Sequence, residues 1–350
     1  MRDSNSPAVP AALAALGAPR PQWLALHQED ILEPELPIVD AHHHLWELSQ
    51  APYLAPELND DLASGHKVQA TVFVDCNVHY RADGPEALRP VGETAFVAEH
   101  ASVIESAGIC AQPCAAIVGW ADLNLGAELK PVLEAHLEAG QGRFRGSRAR
   151  PTWHADPAAH PTRAHREGVL RETVVQEGVR VLGKMGLLLD VWLYHSQLAD
   201  VALLAAECPD TVMVINHCGG PLGVGPYAGQ RARVFEDWAM HIRALAHFPN
   251  LRMKLGGLGM PRMGFGFEQT EKPVDSATLA RAWAPYFETC IEAFGPERCM
   301  LESNFPVDKE SCSYAVIWNA FKRVTKGYGA GERAALFAKT AKRTYAISAD

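Results

Sequence analysis

The sequence predicts an α/β chain folded as a (β/α)8 TIM barrel behind a Pro-rich N-terminal extension. Three observations carry that prediction. Eight apolar runs of strand length alternate with segments of helix length over about 300 residues, the pattern of consecutive parallel βαβ units. Several of the runs are apolar throughout, as strands buried on both faces must be. No GxGxxG follows a strand, which argues against a doubly wound dinucleotide fold.

The elements can be placed in order. The first strand covers residues 38–44 and ends in imidazoles. The others fall at 70–77, 115–121, 144–149, 187–194, 212–217, 251–255 and 299–303. Helical composition fills 91–107, 127–139, 163–182, 197–207, 231–246, 276–294 and 311–326, and a helix over 331–345 closes the chain. Residues 1–36, with Pro7, Pro10, Pro19, Pro21 and Pro34, form the extension, expected to wrap a neighbouring subunit or to lie disordered. Residues 37–350 form the barrel domain.

Composition narrows the function. The chain has 350 residues, 48% apolar and 21% charged, enough to bury a large core without staples. Its net charge of −9 is spread without long runs, which excludes a nucleic-acid scaffold or an anionic membrane surface as partner. No segment reaches the roughly 18 apolar residues of a membrane span. The N-terminus lacks the apolar stretch of a secretory signal. Eight scattered cysteines without a CxxC pair read as small buried hydrophobes of a reducing compartment, so the expected location is cytoplasmic. The expected partner is a small-molecule substrate, with homo-oligomer formation left open.

A barrel of this class keeps its active site at the C-terminal ends of the strands. The reactive residues fall there. Strand one ends in Asp40-Ala41-His42-His43-His44-Leu45-Trp46. Residues two apart on a strand share a face, so His42 and His44 point one way with Asp40, and His43 points the other. Two adjacent imidazoles make half of a metal site or an acid/base pair. Strand six ends in Asn216-His217-Cys218-Gly219-Gly220-Pro221, and a buried strand rarely ends in His without a partner for it. Arg148 on strand four can clamp a carboxylate or a carbonyl, or be held in a structural ion pair. Lys254 on strand seven reads as a snorkelling side chain, or as a base of lowered pKa if buried. Tyr80 and Trp120 suit a ring-shaped substrate and equally an ordinary aromatic core. His195 is as well suited to a rim or helix-cap role as to the site. Two segments, residues 80–90 and 260–273, have lid-like length and turn chemistry.

Four motifs together resemble the amidohydrolase superfamily, in particular its lactonase-containing branch. They are Asp40-Ala41-His42-His43-His44-Leu45-Trp46, Phe144-Arg145-Gly146-Ser147-Arg148, Ile215-Asn216-His217-Cys218-Gly219-Gly220-Pro221 and Ser303-Asn304-Phe305-Pro306-Val307-Asp308. The resemblance implies a barrel whose site is lined by His42, His44 and His217. It also implies hydrolysis of a small lactone by water attack at the carbonyl. One divalent metal, zinc or manganese, would be held by His42, His44 and His217, or the reaction would run without one, with the imidazoles donating to the developing oxyanion. One departure matters. Members usually carry Asp on strand eight where this chain has Asn304. An amide cannot take a proton from water near neutral pH and is a poorer metal ligand. Asp308, four residues on, is then the expected source of negative charge and the expected base, with Asn304, Arg148, Tyr80 and Trp120 contacting substrate. Two other functions fit the same motifs: metal-dependent decarboxylation of an aromatic or muconate-type acid, and a catalytically altered barrel that binds a ligand.

Overall fold

The structure is a computed structural model that describes residues 20–48, 51–160 and 166–348. Eight parallel strands form one sheet in chain order: β1 (Ile38–His43), β4 (Val68–Val74), β5 (Gln112–Gly119), β6 (Phe144–Ala149), β7 (Leu188–Val191), β8 (Met213–Ile215), β9 (Leu251–Leu255) and β10 (Cys299–Leu301). A small antiparallel hairpin, β2 (Trp46–Leu48) with β3 (Ala51–Tyr53), follows β1. Helices between the strands make the outer layer, as the right-handed βαβ crossover requires.

The sheet closes on itself at a seam between β10 and β1. Asn304 N donates to His42 O at 2.9 Å, and His44 N donates to Phe305 O at 2.8 Å. The Asp40 carboxylate accepts from Ser303 N at 2.8 Å and from Ser303 Oγ at 2.6 Å. Tyr314 Oη, from the outer helix Tyr314–Val324, donates to the same carboxylate at 2.9 Å. Asp40 therefore faces the helix layer and does not share a face with His42 and His44. The pairing of β1 with β4 is irregular between Asp40 and His43, and that irregularity breaks the expected alternation. His43 does turn outward, with its Nε2 2.9 Å from Thr71 Oγ1.

The lower half of the barrel interior is apolar. Val39, Ala41, Val72, Val74, Val118, Val214 and Met300 fill it, each branched side chain stabilising by roughly 1.5–3 kcal/mol on burial. The end of the chain closes that half: Ala338, Ala341, Tyr345 and Ile347 pack into the same cluster. The single terminal helix expected over 331–345 is divided into Ala330–Ala334, a π-helical turn Ala335–Lys339 and Thr340–Thr344.

The observed elements keep most expected positions. Helix Ser276–Phe294 and strands β6 and β9 coincide with their predicted ranges. Strands β7, β8 and β10 are shorter than expected, because the chain turns into the rim just before its polar residues. The hairpin and helix Ala55–Leu62 after β1 were not foreseen. The helix expected from residue 163 starts at Thr173, and residues 163–165 lie outside the described residues. Residues 1–19 of the extension also lie outside them. Residues 20–36 lie against the chain's own barrel: Glu29 accepts from Ser276 N at 2.6 Å and from Asn319 Nδ2 at 3.0 Å. Lys322 Nζ caps Leu32 O and Glu33 O at 2.7 and 2.9 Å.

Candidate active site

Three imidazoles meet above the apolar layer. The ring centroids of His42 and His44 are 4.8 Å apart, and those of His42 and His217 are 4.7 Å apart. His42 and His44 arrive from β1 and the residue after it; His217 begins the turn that follows β8. All three are buried.

Each ring is oriented through its Nδ1. His44 Nδ1 lies 2.7 Å from the backbone carbonyl of Val74, an acceptor only, so this nitrogen carries the proton. His217 Nδ1 lies 2.7 Å from Glu302 Oε1, and His42 Nδ1 lies 2.8 Å from Glu302 Oε2. His217 N adds a third donor to Glu302 at 2.9 Å. Glu302 Oε1 accepts from His217 Nδ1–H, which leaves Nε2 of His44 and His217 as the lone-pair nitrogen, whereas Glu302 Oε2 is buried without a hydrogen-bond partner among the described residues. His42 Nε2 is buried and has no hydrogen-bond partner among the described residues. A buried polar nitrogen left open in this way needs a partner.

The electrostatics keep the rings neutral. Burial, then Lys254, hold His42 well below the usual imidazole range. Burial and Arg148 do the same for His44 and His217. Burial pushes Glu302 up to about 8, against the pull of Lys254. Neutral buried imidazoles, with the Nδ1–H of His44 and His217 fixed by outer acceptors, are donors that divalent transition metals take. The residues present therefore fit such an ion. His42, His217 and Glu302 also place potential ligand atoms within 4.8 Å of one another.

A close glycine is part of this packing. Gly257, after β9, has φ of +67°, and a Cβ there would meet His217 Nδ1 at 2.4 Å. The backbone needs the left-handed region, and the imidazole needs the space.

The other expected residues are placed as follows. Arg148 is buried; its Nη1 donates to Asp75 O at 2.8 Å and its Nε has no partner among the described residues. The neighbouring Asp75 carboxylate is occupied by Arg150 Nη2 at 3.1 Å and Tyr80 Oη at 2.9 Å. Arg148 is thus free of the structural ion pair, and burial lowers its pKa to about 10. Tyr80 stacks toward Trp120, with centroids 6.4 Å apart, and both are only partly buried. Asn304 Nδ2 donates to Asp308 Oδ1 at 2.7 Å, and Gly259 N donates to Asp308 Oδ2 at 2.9 Å. Both Asp308 oxygens are engaged, and burial pushes this carboxyl up to about 8. Asn304 Oδ1 is buried without a partner among the described residues.

Lys254 does not snorkel. It is fully buried, with Nζ 2.6 Å from Asp190 Oδ2 and 3.4 Å from His42 Nδ1. His195 accepts from Leu222 N at 3.2 Å through Nδ1 and packs on Tyr227, a rim role. Residues 260–273 hold two short 3-10 turns, and Arg262 there reaches the Tyr194 hydroxyl at 2.7 Å.

Sequence reasoning singled out neither Glu302 nor Asp190 as site residues. Both carry a readable signal. An acid in the last strand, two positions before Asn304, and an acid inside an otherwise apolar strand are each costly unless paired. The pairing itself depends on cross-barrel distances that a linear reading does not contain.

An eight-stranded barrel with a rim of neutral imidazoles defines a hydrolase-like (β/α)8 scaffold. The amidohydrolase family profile matches residues 39–347, and the chain belongs to that family. The chain is 30% identical over 332 residues to the uncharacterised protein y4mH of Sinorhizobium fredii, covering 89% of this chain and 99% of that one. It is 26% identical over 322 residues to the L-fucono-1,5-lactonase of Burkholderia multivorans, covering 88% and 96%. Among solved structures it resembles an amidohydrolase from Burkholderia multivorans with bound zinc, at a TM-score of 0.67 and 24% identity, covering 89% and 99%. No helix among the described residues is long and apolar enough to cross a membrane.

Proposed function

We propose that this protein hydrolyses a small lactone, opening the ring ester by attack of water on its carbonyl carbon. The observation that carries the reading is the set of three buried imidazoles gathered at one point of the rim, with His42 Nε2 buried and without a partner among the described residues. The similarity to a lactonase over nearly the full chain supports the choice of ester.

A divalent cation held by His42, His44 and His217 would supply Lewis acidity and lower the pKa of water there. Zinc suits this all-nitrogen set, and the zinc-bound relative of the same fold supports that choice. The chain's own groups do the rest. Arg148 turns its unpartnered Nε toward a substrate oxygen, and its charge stabilises the negative charge that develops on the carbonyl. Asn304 Oδ1 accepts a hydrogen bond from the attacking water and aims its lone pair at the ring. Asp308 holds the Asn304 amide in that orientation and so acts through Asn304, as a positioning group. Tyr80 and Trp120 form the wall against which the ring lies.

Incubating the protein with a panel of sugar lactones in 18O-labelled water tests the reading. One labelled oxygen in the product carboxylate is the expected result. Release of carbon dioxide from aromatic acids, with no lactone opened, would assign decarboxylation instead. Tight ligand binding with neither reaction would assign a binding barrel.

A further inference from the structure

A second buried cluster stands behind Arg148 and Tyr80, with Asp75, the residue after β4, as its hub. The Asp75 carbonyl accepts from Arg148 Nη1 at 2.8 Å. Its Oδ1 accepts from Asn77 N at 3.2 Å and from the Tyr80 hydroxyl at 2.9 Å. Its Oδ2 forms an ion pair with Arg150 Nη2 at 3.1 Å, without a directed hydrogen bond. Arg150 and the Tyr80 hydroxyl also meet at Asn77 Oδ1. Behind Asp75 stands Glu93, in the first turn of helix Val91–Glu105. Glu93 Oε1 accepts from Cys76 N at 3.1 Å and from Val78 N at 3.0 Å. Both acids are fully buried.

The remaining oxygens require a proton in this cluster. Asp75 Oδ2 and Glu93 Oε2 are buried, and as carboxylate oxygens neither finds a hydrogen-bond donor among the described residues. Yet the two carboxyls are hydrogen-bonded to each other. Two acceptor oxygens can bond only through a shared proton. The surroundings place that proton on Glu93. Asp75 has the Arg150 guanidinium, the Tyr80 hydroxyl and the Asn77 N–H to stabilise its charge. Glu93 has two backbone N–H groups on its other oxygen and forms no ion pair among the described residues. The start of the helix favours an anion at Glu93, but burial, then Asp75, push its carboxyl well above the ordinary range. Burial raises Asp75 as well, but Arg150 and the bond from Glu93 outweigh it, and its carboxyl lies below the ordinary value. Asp75 then matches Arg150, Glu93 is neutral, and Arg148 keeps an unmatched charge. An ionised Glu93 would cancel that charge.

We propose that Glu93 is a positioning residue that works as a neutral acid: its Oε2–H donates to Asp75, and through Asp75 it fixes Arg148 and Tyr80 and keeps the Arg148 charge unmatched toward the substrate. The inference rests on the reading of Arg148 and Tyr80 as substrate contacts, but not on the lactone.

Glu93→Gln copies the neutral acid: its oxygen keeps Cys76 N and Val78 N, and its NH2 donates to Asp75 Oδ2. Glu93→Met fills the space without either set of bonds. The first readout is the infrared difference between wild type and Glu93→Gln at about pH 7, where an unperturbed Glu is ionised. The carbonyl stretch of a protonated carboxylic acid is expected in wild type and is expected to be missing from the variant. The second readout is the 15N–1H signal of Arg148 Nε, assigned by its loss in Arg148→Met. It is expected to stay in place in Glu93→Gln and to move or broaden in Glu93→Met. On a lactone that the protein opens, kcat/KM is expected to fall about 10–100-fold in Glu93→Met, mostly through kcat, and to be restored to within about threefold of wild type in Glu93→Gln. A wild type without the acid band would overturn the proposal. So would an Arg148 signal displaced in Glu93→Gln, or a folded Glu93→Met with the Arg148 signal and turnover of wild type. If Glu93→Met does not fold, Glu93→Gln decides alone through the band and the Arg148 signal. Neither of those readouts uses a substrate. A protein with the acid band and the expected Arg148 signals that opens no lactone would refute the proposed function and leave this inference standing.

Discussion

Replacing Glu302 by Gln is the sharpest perturbation of the imidazole set. Glu302 Oε1 accepts from His217 Nδ1 at 2.7 Å and His217 N at 2.9 Å, and His42 Nδ1 lies 2.8 Å from Oε2, which has no hydrogen-bond partner among the described residues. Gln has nearly the same shape but one acceptor oxygen and one donor nitrogen. Its oxygen can keep His217 Nδ1 and His217 N. Its NH2 must then face His42 Nδ1, which has to become an acceptor. An accepting Nδ1 puts the His42 proton on Nε2, so this ring offers no lone pair to the site. Hydrogen bonds to a charged group contribute about 1.5–3 kcal/mol each, and loss of an outer partner of a metal-binding His lowers metal affinity about 10–100-fold. The assay is zinc binding by chelator competition at about pH 8.5, above the value of about 8 to which burial raises Glu302, with the thermal midpoint as a folding control. The expected result is a folded variant whose zinc affinity is at least about tenfold weaker. A folded Glu302→Gln that binds zinc within twofold of wild type would refute the tautomer argument.

The remaining predictions address other parts of the site. Arg148→Met removes the buried cation with the open Nε and should lower kcat/KM by about 10–100-fold, mostly through kcat because its charge meets the charge that develops on the carbonyl; an unchanged kcat/KM would take Arg148 out of the site. Asp308→Asn sets an NH2 against either the Asn304 amide or Gly259 N–H and should cost about 1–3 kcal/mol of that contact, seen as a loss of activity; activity within a few-fold of wild type would remove Asp308 from the mechanism. Gly257→Ala forces a methyl against His217 Nδ1 and should abolish turnover while the barrel still folds, checked by activity and circular dichroism. Stability should depend on pH at both ends. His42, His44 and His217 stay neutral in the fold, so their contribution is present above the unfolded value of 6.5 and is lost as pH falls below it. Asp308 is raised from 3.8 to about 8, so its contribution is present at acid pH and is lost as pH rises toward about 8. The thermal midpoint of Asp308→Asn, followed from about pH 5 to about pH 8, should therefore fall less than that of wild type.

Much of the fold was legible because its signals are local. The eight apolar runs and the helix-length segments between them need only period and length. Their partners along the sheet then follow from chain order, as the observed order of neighbouring strands shows. His42, His44 and His217 were legible for the same reason: polar residues at the ends of buried strands. The failures share a cause of another kind. Asp40 was put on the face of His42 by strict alternation, and a pairing irregularity that no residue type announces moved it to the seam. Glu302, Asp190 and Tyr345 take their meaning from contacts 85, 64 and 155 residues away in sequence. Lys254 was left between a snorkelling side chain and a buried base because its counter-ion sits two strands away in the barrel.

The departure at Asn304 can now be seen as a relocation of charge. The family resemblance leads to the expectation of a carboxylate at this position. In this chain the acids stand one layer back: Glu302 behind His42 and His217, and Asp308 behind Asn304. What faces the site from these two pairs is neutral, imidazole Nε2 and an amide oxygen. Three neutral ligands leave the charge of a bound cation undiminished toward a substrate carbonyl, whereas a carboxylate ligand would neutralise part of it. The cations nearest the imidazoles reinforce this. Arg148 and Lys254 both depress His217, and only Lys254 is matched by an acid of its own, at Asp190. On the proposed reading, negative charge developing on the carbonyl would be met by the Arg148 guanidinium, whose Nε has no partner among the described residues.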